Sequence, residues 1–162
     1  MEKFSQAGDI LKVNIRELID RAEHPEKVIR QVISDLEQEL QSLMIQLNKA
    51  TFTSQTAGKD LAEARRKSAQ CEEIAKNALI QGNSDSARNA MLEKVRADEE
   101  ILSCKEALES VSIQIPSLTA QVNALRFKIS EARKCQADLT DAKVNNELEK
   151  LMQEINNDKK GE

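Results

Sequence analysis

A seven-residue repeat of apolar and small side chains is the feature that most constrains how this chain can fold. Between residues 26 and 81 the repeat follows two interleaved tracks. The first track reads Ile29, Leu36, Leu43, Ala50, Ala57, Ala64, Cys71, Ala78, and the second reads Ile33, Leu40, Leu47, Ser54, Leu61, Ser68, Ala75. Heptads sustained over this length indicate coiled-coil helices. The composition agrees, because a chain with 32% charged residues, four Gly, two Pro and neither Trp nor Tyr suits long helices and not sheets.

A turn signal at Gln81–Asp85 separates this repeat from a second one, which alternates spacings of three and four from Ala97 to Ala132. Gly82 can end a helix, and Asn83, Ser84 or Asp85 can cap the next one. A tight turn between two long heptad helices predicts an antiparallel hairpin in which the numbers of facing residues add up to about 165. The predicted seam pairs Leu36 with Ile129, Leu43 with Val122, Ala50 with Ile115, and Ala57 with Leu108.

The residues before His24-Pro25 form a separate amphipathic segment. Apolar and small residues fall on one helical stripe at Met1, Phe4, Gly8, Leu11, Ile15, Leu18 and Ala22. The opposite face carries charges of both signs, at Lys3, Lys12, Arg16, Glu17 and Asp20. Such a helix either folds back on the hairpin, pairs with a partner, or lies in a membrane interface, and its periodicity does not decide between these roles.

These signals predict an all-α chain with an N-terminal amphipathic helix followed by a long antiparallel coiled-coil hairpin. The expected segments are an amphipathic helix at 1–24, hairpin helix one at 25–81, a turn at 82–85, hairpin helix two at 86–145, and a helical extension with a polar tail at 146–162. Inside helix two, Pro116 predicts a bend, because it removes one helical hydrogen bond and crowds the carbonyl of Ser112.

A few apolar residues lie two positions past the seam, on the outward side of the hairpin. They are Ile45, Phe52, Ile113, Ala120 and Phe127. Phe52 is expected level with Ile113 in the predicted register. We interpret these residues as a second contact surface for neighbouring hairpins; the alternative is a set of scattered surface side chains, which proteins commonly carry.

Several function classes are excluded by composition and spacing. The net charge is −4 and no basic face stands out, so nucleic acid is not an expected partner. Charged residues interrupt any signal-peptide core near the N-terminus, which favours the cytoplasm. Cys71, Cys104 and Cys135 are widely spaced and His24 is the single histidine, so free thiols are expected, with no metal and no cofactor. The sequence contains neither a phosphate-binding loop nor a nucleophile with a neighbouring base, so no enzyme is predicted.

Three ordered blocks resemble the PspA family over roughly residues 1 to 145. The first block is Phe4-Ser5, Asp9-Ile10, Asn14-Ile15, Leu18 and Ala22-Glu23-His24-Pro25-Glu26-Lys27. The second is Ala75, Ala78-Leu79, Gly82, Asp85-Ser86-Ala87-Arg88-Asn89-Ala90 and Glu93-Lys94. The third is Lys128-Ile129-Ser130-Glu131-Ala132-Arg133-Lys134.

The resemblance implies an ESCRT-III-like fold and a non-enzymatic, membrane-associated protein. Such a protein self-assembles into homo-oligomers or filaments and stabilises or remodels the bacterial inner membrane under stress, from its cytoplasmic side. Anionic lipids would bind Met1, Phe4, Gly8, Leu11, Ile15 and Leu18, and the oligomer contact would use Ile45, Phe52, Ile113, Phe127 and Arg88. The alternatives are a regulatory coiled coil that inhibits an AAA+ transcription activator and a passive coiled-coil scaffold.

The sequence departs from the family pattern at three places. Lys3 and Ala7 stand near the start, where family members often carry a second bulky apolar residue, so weaker lipid affinity is expected. His24 replaces the usual Asp before the proline, which is the better helix cap. Family members typically continue beyond the position of Glu162 with helices that contact neighbouring subunits, and the sequence fits both a truncated piece and a short family member.

Overall fold

The computed structural model describes residues 7 to 161, and this part of the chain is helical except for short connections. Its elements are α1 (Ala7–Lys12), α2 (Ile15–Arg21), α3 (Pro25–Ile80) and α4 (Ser84–Lys160). The all-α prediction is therefore confirmed, and residues 7 to 161 contain no strand. The chain divides into two compact units: unit 1 combines residues up to 43 with residues from 120 onward, and unit 2 is Met44–Thr119.

The turn between α3 and α4 lies in unit 2 and is closed by local hydrogen bonds. Gly82 adopts a positive φ of 75°, which glycine reaches without steric cost. The amide of Gly82 donates to the carbonyl of Leu79 at 3.1 Å, and the amide of Asn83 donates to that of Ala78 at 2.8 Å. This is the Schellman arrangement that commonly ends helices. The side chain of Asn83 then accepts from the amide of Ser86 at 3.1 Å, so α4 begins at Ser84, two residues before the predicted start.

Unit 2 pairs parts of α3 and α4 through a seam made mostly of small side chains. Its buried hydrophobic residues are Ala50, Ala57, Ala64, Cys71, Ala75, Ala78, Ala87, Ala90, Ala97, Cys104 and Val111. Leu108 and Ile115, which the sequence places in the seam, are half-buried. Small residues on facing helices allow the backbones to approach closely, so the seam fills with little side-chain volume.

Unit 1 has a core of larger aliphatic side chains. The predicted seam residues Leu36, Leu43, Val122 and Ile129 are buried. They are joined by Ile15, Ile19, Ile29, Val32, Ile33, Leu125, Ala132 and Cys135. Within this unit α3 and α4 run antiparallel, since Arg133 pairs with Glu37 and Lys143 pairs with Glu26 at 3.4 Å.

Two other boundaries differ from the sequence expectation. The N-terminal segment does not form one helix in the described residues, because α1 ends at Lys12 and α2 begins at Ile15. Asn14 explains the interruption: it has an extended backbone with φ −83° and ψ 104°, and its side chain accepts from the amide of Glu17 at 3.1 Å. At the other end, α4 continues through Pro116 and reaches Lys160 without a break at residue 145.

Candidate functional site

The candidate lipid-facing residues divide into three groups in the structure. Met1 and Phe4 lie outside the described residues, and Gly8 lies in α1. Leu11 and Leu18 are half-buried. Ile15 is only 1% exposed, so its side chain is buried against protein in this conformation, and its role in lipid binding stays a prediction. Helical periodicity indicates an apolar face but does not distinguish burial against protein from burial in lipid.

Charged side chains line the opposite face of this segment. Arg21 pairs with Glu17 at 2.8 Å across one turn of α2, and Arg16 approaches Asp138 of α4 at 3.9 Å. All four side chains are more than half exposed. Among the described residues, this polar face therefore mixes both signs of charge and differs from the strongly cationic face of helices that bind anionic lipid.

The outward apolar residues are exposed, each within its own unit. In unit 2, Ile45, Phe52 and Ile113 project into solvent, with Phe52 68% exposed. In unit 1, Phe127 is 73% exposed. Arg88, in the first turns of α4, is also exposed. Two phenylalanines with most of their surface in water are unusual enough to mark candidate contact surfaces.

Further exposed apolar side chains lie at the ends of α3 and α4 beside the turn in unit 2, and the sequence analysis missed them. This tip patch consists of Ile74, Leu79, Ile80, Met91, Leu92 and Val95. The available signal was the Leu79-Ile80 pair, which directly precedes the helix end and lies off both heptad tracks. Large apolar side chains exposed at these positions are candidates for an interaction site.

The last part of α4 carries an apolar stripe of its own. Val144, Leu148, Leu151 and Ile155 recur at helical spacing, and Met152 lies beside them. All five are about half exposed, with values from 51% to 62%. Residues 140 to 161 show no buried side chain, so this stretch of α4 has no covering element among the described residues.

A cluster of three hydrogen-bonded polar side chains lies across the unit 2 seam. Ser68, on α3, is buried; its hydroxyl donates to Asp98 Oδ1 at 2.6 Å and accepts from Lys94 Nζ at 3.2 Å. Lys94 also donates to Asp98 Oδ2 at 2.8 Å. The hydrogen bond from Lys94 and that from Ser68 hold the pKa of Asp98 below its usual value. The hydrogen bond to Asp98 raises the pKa of Lys94.

This Ser68–Lys94–Asp98 cluster is built to hold two helices together and not to activate a nucleophile. A lysine that serves as a general base needs a lowered pKa, whereas Lys94 is shifted upward by its carboxylate partner. Ser68 is also buried, with 8% of its surface exposed, so a substrate could not reach its hydroxyl unless the two helices separated.

The described residues offer little to a metal or to reactive chemistry. They hold no group of three or more His, Cys, Asp or Glu side chains arranged for a metal ion. Cys71, Cys104 and Cys135 are free and buried. Desolvation raises the pKa of the Cys104 thiol, and the carboxylates of Asp60 and Glu100 add to the effect, so its reactive thiolate form is disfavoured. None of the helices in the described range is long and apolar enough to span a bilayer.

Comparisons with known proteins agree on one family. The family model described as PspA/IM30 family matches residues 2–159. Membrane-associated protein Vipp1 of Synechocystis sp. is 29% identical over 160 residues, covering 94% of this chain and 58% of the relative. Membrane-associated protein Vipp1 of Nostoc punctiforme is 26% identical over 160 residues, covering 96% of this chain and 62% of the relative. Phage shock protein A homolog of Bacillus subtilis is 24% identical over 155 residues, covering 93% and 68%. The chain thus spans about three fifths of the length of the two Vipp1 relatives.

Proposed function

The chain belongs to the PspA/IM30 family, and we propose that it is a non-enzymatic protein that self-assembles on a lipid surface and stabilises or remodels it. The bacterial inner membrane under stress, approached from the cytoplasmic side, is the proposed place of action. The observation that carries this proposal is the family match over residues 2–159 together with two relatives named membrane-associated proteins.

The N-terminal segment is the proposed lipid contact. Met1, Phe4, Gly8 and Leu11 would insert first, because they precede the Asn14 interruption, whereas Ile15 follows it and belongs to the buried core of unit 1. Fully burying one large apolar side chain contributes about 1.5–3 kcal/mol, so a segment with so few of them binds weakly by itself. An oligomer that presents several copies to one vesicle would raise the overall avidity without any new contact.

The exposed side chains Ile45, Phe52, Ile113, Phe127 and Arg88 are the proposed contacts between copies. Their support is exposure: large apolar side chains that the chain leaves in water gain most from burial against a neighbour. Self-assembly through them would also supply the multivalency that the short lipid contact requires.

The test of lipid contact is co-sedimentation with vesicles of equal parts phosphatidylglycerol and phosphatidylcholine, with the pellet imaged by negative stain. Phe4→Glu and Leu11→Glu should abolish sedimentation, since a carboxylate in the apolar face opposes insertion. Leu102→Glu is the matched control, because Leu102 is an exposed leucine of α4 in unit 2. Circular dichroism should show unchanged helix content in all three variants.

A wild-type chain that stays in the supernatant with these vesicles contradicts the proposal. The regulatory alternative would then be examined by capture of an AAA+ transcription activator, with and without residues 1–23. Capture that survives this deletion would place the regulatory contact on the hairpin. Small defined oligomers that neither bind lipid nor capture an activator would favour a passive scaffold.

A further inference from the structure

The helix α2 lies against α4 through its apolar side chains. Ile15 and Ile19 are 1% and 8% exposed, which makes Ile15 one of the most deeply buried large residues of the described chain. Ile19 lines a small cavity together with Cys135 and Leu139 of α4. Arg16 and Asp138 face each other beside this cavity at 3.9 Å. Two buried side chains and one exposed ion pair therefore hold the seven-residue helix α2 against α4.

The buried face of α3 in unit 1 is wider than a two-helix seam explains. Val32 belongs to neither heptad track of α3, yet it is buried, as are its neighbours Ile29 and Ile33. A two-helix seam buries one narrow stripe of each helix, as unit 2 shows, so the wider buried face of α3 in unit 1 requires a third element. α2 is one such element, because it belongs to unit 1 and buries its own Ile15 and Ile19.

The same apolar face cannot be buried in protein and in lipid at once. We propose that α2 is a latch: docked on α4 it hides Ile15 and Ile19, and binding to a membrane surface releases it so that its apolar face joins the lipid contact. This inference rests on the proposed function for its trigger. The docked contact itself is a property of the fold and can be measured without lipid.

The interruption at Asn14 favours the latched state. While Asn14 caps α2, α1 and α2 remain separate helices. A continuous helix through Asn14 would align Leu11, Ile15 and Leu18 at spacings of four and three on one face, as an interfacial helix requires. Docking therefore keeps the lipid-binding stripe in two pieces, and release would join them.

Cys135 reports on the latch because it lies beneath α2. Alkylation with iodoacetamide, quantified at each thiol by mass spectrometry, compares Cys135 with Cys71 and Cys104, which are buried in unit 2. Vesicles of equal parts phosphatidylglycerol and phosphatidylcholine should raise the Cys135 rate by about tenfold or more, as expected for local opening. The rates of Cys71 and Cys104 should not change, whereas general unfolding would raise all three.

Two substitutions on α4 loosen its contact with α2 without touching the lipid-binding segment. Leu139→Ala removes part of the apolar contact and should raise Cys135 labelling without vesicles by about fivefold to tenfold. Asp138→Ala removes an exposed ion pair and should raise it about twofold. Asp158→Ala is the matched control, because it removes an exposed aspartate farther along the same helix. Circular dichroism checks that each variant keeps its helix content.

The decisive readout is vesicle affinity, because a latch links it to docking. If the docked state dominates, the apparent Kd for vesicles should fall by the same factor by which each variant raises Cys135 labelling. A chain that binds vesicles while Cys135 labelling stays unchanged overturns the latch and leaves the proposed function standing. Variants that raise labelling without tightening binding also overturn it. A chain that binds no vesicles overturns the proposed function together with the latch.

Discussion

Unit 1 and unit 2 draw on the same two helices, α3 and α4, but bury very different side chains. In unit 2 the buried residues are chiefly alanines, two cysteines and one serine. In unit 1 they are chiefly Ile, Leu and Val, and the most deeply buried large residues, Ile15, Ile29, Leu36 and Leu125, all lie there. The heptad repeat continues through both units, so periodicity alone does not reveal this difference.

The contrast shows how the size of seam residues decides what else a helix pair needs. Small side chains let two helices close on each other, so the seam between them is filled without a third element. Larger side chains spread over a wider face, and α2 covers that face in unit 1. Since each buried Ile, Leu or Val contributes about 1.5–3 kcal/mol and alanine much less, unit 1 carries the larger share of hydrophobic stabilisation. Unit 2 supplements its seam with the Ser68–Lys94–Asp98 cluster.

The largest expected effect on the free energy of unfolding comes from comparing one leucine-to-alanine substitution in each unit. Leu125→Ala in unit 1 should lower the free energy of unfolding by about 2–5 kcal/mol, because Leu125 is 0% exposed and its removal leaves a cavity. Leu108→Ala in unit 2 should cost about half as much, since Leu108 is half-buried and its site can relax. Urea unfolding followed by circular dichroism measures both. Equal losses would contradict the claim that unit 1 holds the stronger core.

The heptad period predicts much of the buried seam in the two units. Leu36, Leu43, Val122 and Ile129 are buried where a seven-residue period placed them, because in a long hairpin the period alone decides which side of a helix faces its partner. The end of α3 next to Gly82 was equally predictable from the sequence. A glycine between two long periodic stretches typically ends a helix, because it adopts a positive φ without strain. Local chemistry and periodicity thus determined most of the fold.

The candidate site was far less predictable. Asn14 caps α2 and so interrupts the apolar stripe between α1 and α2. The spacing of apolar residues does not reveal such a cap. Ile15 is equally suited to lipid and to a protein core, because burial in either medium removes the same apolar surface from water. Only the packing of unit 1 settles where Ile15 lies in the folded chain. The tip patch was missed because its members belong to no heptad track.

A smaller effect tests whether the unit 2 seam depends on its polar cluster. Ser68→Ala removes the hydroxyl that donates to Asp98 at 2.6 Å but leaves the Lys94–Asp98 pair in place. The substitution also removes the bond that the hydroxyl accepts from Lys94; the loss of each such hydrogen bond costs about 1 kcal/mol, partly offset by the better helix propensity of alanine. Ser54→Ala on the same heptad track calibrates that offset, because Ser54 is half-buried in the same unit. Thermal unfolding should show a lower Tm for Ser68→Ala than for Ser54→Ala. Identical values would mean that the Ser68 hydrogen bonds do not stabilise unit 2.

The smallest effect concerns acid stability, and its sign follows from the pKa of Asp98. Lys94 and Ser68 lower this pKa in the folded chain, so Asp98 stabilises the fold at pH values above about 4, where it is ionised in the unfolded chain too. That contribution is lost as the pH falls through the lower folded pKa. The Tm difference between wild type and Asp98→Asn should therefore shrink between neutral pH and the acid limb, whereas Glu99→Gln, at a neighbouring exposed position, should not reproduce that change. A Tm difference that stays constant across this range would mean that Asp98 stabilises unit 2 by packing and not by its charge.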